Sequence, residues 1–337
     1  METRLETSSG TGRFEKEITA INDTISESGS GRISNIAIIA EPFAGKTTLI
    51  NEIEMKNPDR TARLSFSSLV KHRDEIAIPE GSIVIVDDCQ YLYMRKIGGF
   101  DVLEDFLVMA AESQNLFITT WNLYSWTYLD EVMDLAVHFP VQIKLPKLPA
   151  DAIKNIIHSK YGDGEIQFAG EVVSKKKIIE HVKHPVTLKP LKKEINLPGI
   201  RIHFDLLDIW FFRKREMMTI EDIIYRRINN ISNGNPGVAK VIWENSLQYP
   251  VIKPEFINDI SYEFRLKHKE AFVLSIIVSM KSIGKEELDD IAGFQTVHIL
   301  STLSRQGLIK MEDGQFGIRP EALKSTVEFL KKLRLVW

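Results

Sequence analysis

The residues Ala40 to Thr47 read AEPFAGKT, and their types and spacing are those that a phosphate group asks of a protein. Ala40, Glu41, Pro42, Phe43, Ala44 and Gly45 make a loop whose backbone N–H groups, all but that of Pro42, can wrap anionic oxygens, with Gly45 allowing close backbone approach. Lys46 follows with a positive charge that would reach the outer phosphates, and Thr47, with Thr48 beside it, offers a hydroxyl for a divalent cation. The spacing is that of the G-x-x-x-x-G-K-[ST] phosphate loop, with Ala40 in place of the first glycine. An apolar run, NIAIIA, precedes it and a helical segment, TTLINEIEM, follows, so the positive dipole end of a helix would add to the loop's field. The bland alternative, a chance loop after a buried strand, has to explain both flanks.

Two further polar strand ends complete the chemistry. SIVIVDDCQ places Asp87 and Asp88 at the carboxyl end of an apolar run, where a doubly wound sheet puts its ligands. Asp87 would hold magnesium, directly or through water, and Asp88 would orient or activate the attacking water. LFITTWN ends in Thr119, Thr120, Trp121 and Asn122; Asn122 is favoured as a sensor of the terminal phosphate, with Thr120 second, against the plain reading that these residues cap the next helix. Catalysis would then rest on Asp88, Asn122 and Lys46. Cys89 reads as a small buried packing residue.

These groups need a scaffold, and the pattern around them supplies one. Short apolar runs at 35–40, 82–88, 115–122 and 141–145, with a weaker one at 61–66, alternate with helical patterns, as expected of a parallel sheet with crossover helices. Ahead of them Phe14, Ile18, Ile21 and Ile25 recur at spacings of an amphipathic helix. Helices dominate from about 150 to 260, interrupted by an irregular stretch at about 162–215 that looks inserted. Between 175 and 193 that stretch holds seven lysines, Lys175, Lys176 and Lys177 among them, against the single acid Glu180. From about 262, helix, short helix, longer helix, hairpin and closing helix follow in order.

Together these motifs resemble the additional-strand P-loop ATPases, the division that holds the AAA+ and STAND proteins, over roughly 13–260. The resemblance implies an α/β fold, a P-loop NTPase parallel sheet with a helical lid and then a winged-helix domain. Their expected bounds are 1–150 for the ATPase core, 151–261 for the lid with its Lys-rich insertion, and 262–337 for the winged helix. It also implies ATP and Mg2+ as ligands. NISNGNPGVAK looks like the Gly-x-Pro lid motif of STAND and archaeal-type ATPases, which puts Pro236 against the nucleotide; Gly234, Asn235 and Pro236 equally fit a turn between two helices. In AAA+ motors an arginine finger follows the third strand, yet residues 96–200 contain no arginine, and Gly237 stands where AAA+ lids carry a sensor arginine. A finger is worth about 10³–10⁵ in rate, so slow turnover is expected. Lys240, or Arg226 or Arg227 from a neighbouring subunit, could compensate.

In the winged-helix reading, Gln295, Thr296, His298, Ser301, Thr302 and Arg305 face outward from the third helix as candidate DNA contacts, while Val297, Leu300, Leu303 and Leu308 face the core. Lys175, Lys176 and Lys177 form a second candidate phosphate-binding surface. Twelve Lys and Arg against ten acids over 262–337 make a weak electrostatic footprint, and STAND winged helices often act as internal clamps instead. The whole chain of 337 residues carries a net charge of −3, which excludes a general polycation, and its 44% hydrophobic content excludes a disordered one. A single cysteine, an N-terminus without an apolar core and no apolar run of membrane length point to a cytoplasmic protein away from membranes. The leading expectation is a slowly hydrolysing nucleotide switch whose winged helix acts on double-stranded DNA or a protein partner. The alternatives are a replication-initiator-like or DNA-loading AAA+ protein that self-associates with ATP, and an interaction protein with a structural nucleotide.

Overall fold

The computed structural model describes residues 14–28, 34–162, 164–170, 179–188, 193–202, 219–258 and 265–337. Five parallel strands make the central sheet: β1 (Ile36–Ala40), β2 (Thr61–Ser65), β3 (Ile83–Asp87), β4 (Leu116–Asn122) and β5 (Val141–Lys144), in the spatial order β2-β3-β4-β1-β5. β1, β3 and β4 are buried along their whole length because helices cover both faces, which is why they read as unbroken apolar runs. The weaker run at 61–66 is β2, a half-exposed edge strand.

Alternate residues of each strand serve opposite faces. Ile36, Ile38, Ile83, Ile85, Leu116 and Ile118 pack under α1 (Glu15–Ser28) and α2 (Lys46–Lys56), with Phe14, Ile18, Ile21 and Ile25 all buried as their spacing predicts. Ala37, Ile39, Val84, Val86 and Phe117 face the other way, toward α3 (Asp101–Glu112) and α4 (Leu123–Met133). This is the α/β architecture with a parallel sheet expected from the motif order. β1 leads through α2 to β2 on one side of the sheet while β5 closes the other, so the loop after β1 lies at the switch point where such sheets take their ligands.

Among the described residues three helices follow, α5 (Ala150–His158), α6 (Ile220–Ser232) and α7 (Pro236–Ser246), with a short parallel pair, β6 (Gln167–Phe168) and β9 (Val251–Ile252). Thr219 and Asp222 form a capping box at the start of α6, and the Asn235 side chain caps α7 with Pro236 in its first turn. Tyr225 of α6 stacks on Trp243 of α7, centroids 5.3 Å apart and planes 7° from parallel. The stretch expected to be irregular contains an antiparallel pair, β7 (Ile179–Leu188) and β8 (Lys193–Ile202), paired from Ile179↔Ile202 to Leu188↔Lys193. Lys175, Lys176 and Lys177 lie outside the described residues.

The last stretch runs α8 (His268–Met280), β10 (Ser282–Gly284), α9 (Lys285–Ala292), α10 (Val297–Arg305), β11 (Ile309–Glu312), β12 (Gln315–Ile318) and α11 (Leu323–Lys332). Its three strands form an antiparallel sheet in the order β10-β12-β11. α8 is buried on all sides from Val273 to Met280, as its lack of a polar face requires. Two expectations for α10 are corrected. Thr296 is not an outward group: it is fully buried, and its N–H and hydroxyl both donate to Asp289 Oδ1, at 2.7 and 2.6 Å. Val297, expected inside, is 45% exposed, because the helix begins there and its apolar face starts only at Leu300. Gln295, His298, Ser301 and Arg305 are exposed. Among the described residues no helix is long and apolar enough to cross a membrane.

Candidate phosphate-binding site

Between β1 and α2 the backbone of residues 41–45 turns sharply. Gly45, the residue before α2, has φ 104°, a conformation that favours glycine, and Phe43 also sits at positive φ, 65°. Contacts from outside the sheet hold this shape. The Asn235 side-chain amide donates to the Pro42 carbonyl at 2.8 Å, and the Gly237 N–H donates to the Phe43 carbonyl at 3.1 Å. A Cβ on Gly237 would stand 2.5 Å from that carbonyl oxygen, so the start of α7 can close on the loop only with glycine there. That explains why this position carries no arginine. Pro236 is buried beside it, and the Tyr124 hydroxyl donates to Glu41 Oε1 at 3.2 Å, tying the loop to α4.

Lys46 opens α2 and is 7% exposed. Burial pushes its ammonium down to about 8, Asp88 pulls it back up, Lys281 pushes it further down and Asp87 raises it. Among the described residues no carboxylate closes an ion pair with it. A buried cation in that condition, at the N-terminus of an eleven-residue helix, fits an incoming phosphate. Thr47 and Thr48, in the first turn, are exposed, so the Thr47 hydroxyl is open to a cation.

Facing the loop, Asp87 ends β3 and Asp88 follows with φ 58° and ψ 48°. Thr120 bridges the two: its hydroxyl donates to Asp87 Oδ1 at 2.6 Å and accepts the Asp88 N–H at 2.9 Å. Asp87 Oδ2 meets Arg63 Nη2 at 2.6 Å, and Arg63 also reaches Asn51 and Glu54. With both oxygens engaged, Asp87 would serve a metal ion through an intervening water, or directly once Arg63 gives way. Asp88 is engaged likewise: Gln90 Nε2 donates to Oδ1 at 2.9 Å, and Lys281 Nζ donates to Oδ2 at 2.9 Å. Burial works to raise the Asp88 pKa, but Lys281 and Lys46, with hydrogen bonds from Gln90 and Lys281, outweigh it and hold the carboxyl below the ordinary aspartate value.

Asn122 is placed otherwise than expected. It is fully buried, its Oδ1 accepts the Tyr124 N–H as the cap of α4, and its Nδ2 donates to the Val278 carbonyl at 2.8 Å. The side chain that the structure brings between the acids is Thr120. Cys89 is fully buried and its thiol is pushed well up by burial, as befits a packing residue.

Three residues at this site were not legible in the sequence. Arg63 lies on the strand beside β3, so the register Ser65↔Asp87 would have pointed to it once the strand order was known. Gln90 is part of the buried turn after the two aspartates. Lys281 comes from the far end of the chain and nothing in its own neighbourhood marks it.

A scan against protein-family models finds no match, and no curated protein sequence matches the chain. Among solved structures, it is similar to the RuvB Holliday junction branch migration motor of Thermotoga maritima, at 14% identity and a TM-score of 0.44, over 94% of each chain. It is similar to Cdc6p from Pyrobaculum aerophilum at 14% identity and a TM-score of 0.44, over 99% of this chain and 97% of that one. With a STAND protein bearing a tetratricopeptide repeat sensor, from Pyrococcus horikoshii, the figures are 13% and 0.35, over 97% of this chain and 43% of that one. These likenesses are too distant to carry an activity or a partner across.

Proposed function

We propose that the chain is an ATPase that binds ATP with Mg2+ at the loop Ala40–Thr48 and uses the bound state as a switch. The observation that carries this is Lys46, a buried ammonium on which no carboxylate closes among the described residues, at the mouth of α2 and opposite two aspartates. Backbone N–H groups of residues 43–46 would hold the phosphates, Thr47 and Asp87 the ion, and Asp88 the attacking water, with Thr120 fixing the aspartate pair. Pro236 would lie along the nucleotide, since α7 already rests on the loop. Slow turnover fits the absence of arginine from residues 96–200 and the glycine at 237.

On this reading the chain divides into an ATPase core to about 150, a lid to about 261 and a winged helix thereafter. The order of helices and the β10-β12-β11 sheet support the winged helix. Its docking on the core favours a switch within one chain over an assembling AAA+ ring, and its exposed Gln295, His298 and Arg305 would meet double-stranded DNA or a protein partner. The test is thermal unfolding with ATP–Mg2+. At a hundred times its dissociation constant, a ligand bound only by the native state adds about 2.7 kcal/mol, and Lys46→Ala should abolish the shift. An equal shift in the variant would sink the assignment, and ATP-dependent assembly on a sizing column would move it to the ring-forming class.

A further inference from the structure

Lys281 follows directly on α8, yet its ammonium stands inside the site formed by β1, β3 and α2. Its backbone has φ 74° and ψ −54°, the rare and strained γ-turn region that side chains other than glycine seldom adopt. The core grips the chain on both sides of it. Asn122 Nδ2 donates to the Val278 carbonyl, Ser125 Oγ to the Ser279 carbonyl at 2.7 Å, and the Tyr91 hydroxyl to the Ser282 carbonyl at 3.0 Å. These are carbonyls at and just past a helix end, which have no partner within the helix. Lys281 is therefore held in an unfavourable conformation by an anchored frame, and its ammonium lies on Asp88.

Around the two aspartates stand Lys46, Arg63 and Lys281; Arg63 is shared with Glu54, which leaves Lys46 and Lys281 as the ammonium groups beside Asp88. A third phosphate group would enter beside Lys46 and Asp88, where a second ammonium is already delivered. Lys281 is close enough to Lys46 to help depress its pKa, so the two cations share one field.

We propose that Lys281 is the residue by which this site distinguishes a nucleoside triphosphate from a diphosphate: it leaves Asp88 for the terminal phosphate and frees the carboxylate to hold water. The inference rests on the nucleotide reading given above. A diphosphate offers nothing at that position, and Lys281 stays on Asp88. The C-terminal stretch thereby forms part of the nucleotide site, sensing the terminal phosphate within its own chain, in a place that an arginine from a neighbour would otherwise fill.

The experiment titrates the full chain with ADP–Mg2+ and with a non-hydrolysable ATP analogue and Mg2+, by calorimetry, for wild type, Lys281→Ala, Lys281→Gly and Lys46→Ala. Lys281→Gly removes the ammonium while accepting the positive φ without strain, which guards against a misfolded alanine variant. Both Lys281 variants are expected to lose about ten- to a hundredfold in affinity for the triphosphate, as for a charge-assisted hydrogen bond, with ADP affinity within about twofold of wild type. Equal losses for both nucleotides, no loss, or a gain for the triphosphate would overturn the proposal. Lys46→Ala separates the two ideas: if it and wild type bind both nucleotides alike, or bind neither, the phosphate-loop reading itself fails and takes this one with it.

Discussion

A buried lysine with no carboxylate closing on it among the described residues costs free energy in the empty protein, and on the reading proposed above an incoming phosphate would offset that cost at Lys46. Its lowered pKa gives a dependence on pH that an exposed lysine lacks. Below about pH 8 the ammonium is charged and ready for phosphate; above it the unliganded chain must take up a proton to bind. ATP affinity is therefore expected to stay level below about pH 8 and to fall above it by up to tenfold per unit, and titrations from pH 7 to 10 check this. Folding of the empty chain has the opposite sign. The unfolded lysine stays protonated up to its ordinary 10.5, so between about 8 and 10.5 the unfolded state binds more protons and stability from this group rises with pH. A level ATP affinity across that range would mean that Lys46 is not the phosphate's partner. Residue types and spacing made Lys46, Asp87 and Asp88 legible in the sequence, because the phosphate loop and the acidic strand end are local patterns. They misplaced Asn122, since a strand-end amide looks the same whether it faces a ligand or caps the following helix.

At the level of the elements, the position of α7 on the loop depends on a single missing side chain. Gly237→Ala would put a Cβ 2.5 Å from the Phe43 carbonyl, and backbone on one side or the other has to move. We expect a stability loss of about 1–3 kcal/mol, typical of overpacking, together with weaker ATP binding, because the displaced neighbour is the phosphate loop itself. Denaturant midpoints with and without nucleotide measure both; an unchanged ATP affinity would show that the lid does not shape the loop. The strands of the central sheet were readable from their apolar runs, and α1 from the spacing of Phe14, Ile18, Ile21 and Ile25, since burial on one or both faces writes itself into periodicity. What periodicity could not show is where α10 begins. Thr296 looks like a surface residue until Asp289, in the preceding helix α9, captures both its donors. The β7–β8 pair was equally hidden, because a Lys-rich stretch with scattered apolar residues has no face to bury.

At the scale of the whole molecule, charge argues for few and weak contacts with nucleic acid. A net −3 and a nearly balanced C-terminal stretch leave Arg305 as the main cation on the exposed side of α10. If that helix meets duplex DNA, Arg305→Ala should flatten the slope of log affinity against log salt by about one unit, read by fluorescence anisotropy over a salt series. An unchanged slope, or no binding at low salt, leaves a protein partner as the occupant of that surface. The seam between core and C-terminal stretch also bears on how the chain is made. The sheet has all its strands once Lys144 has been synthesised, but the amide of Asn122 and the hydroxyl of Ser125 gain their acceptors only when Val278 and Ser279 leave the ribosome. At about 5–20 residues per second the nascent core waits many seconds with that seam open and Asp88 uncovered. On the nucleotide reading proposed above, the loop would be open to nucleotide before Lys281 exists, and a newborn molecule would take its first ligand without the lysine proposed to inspect it.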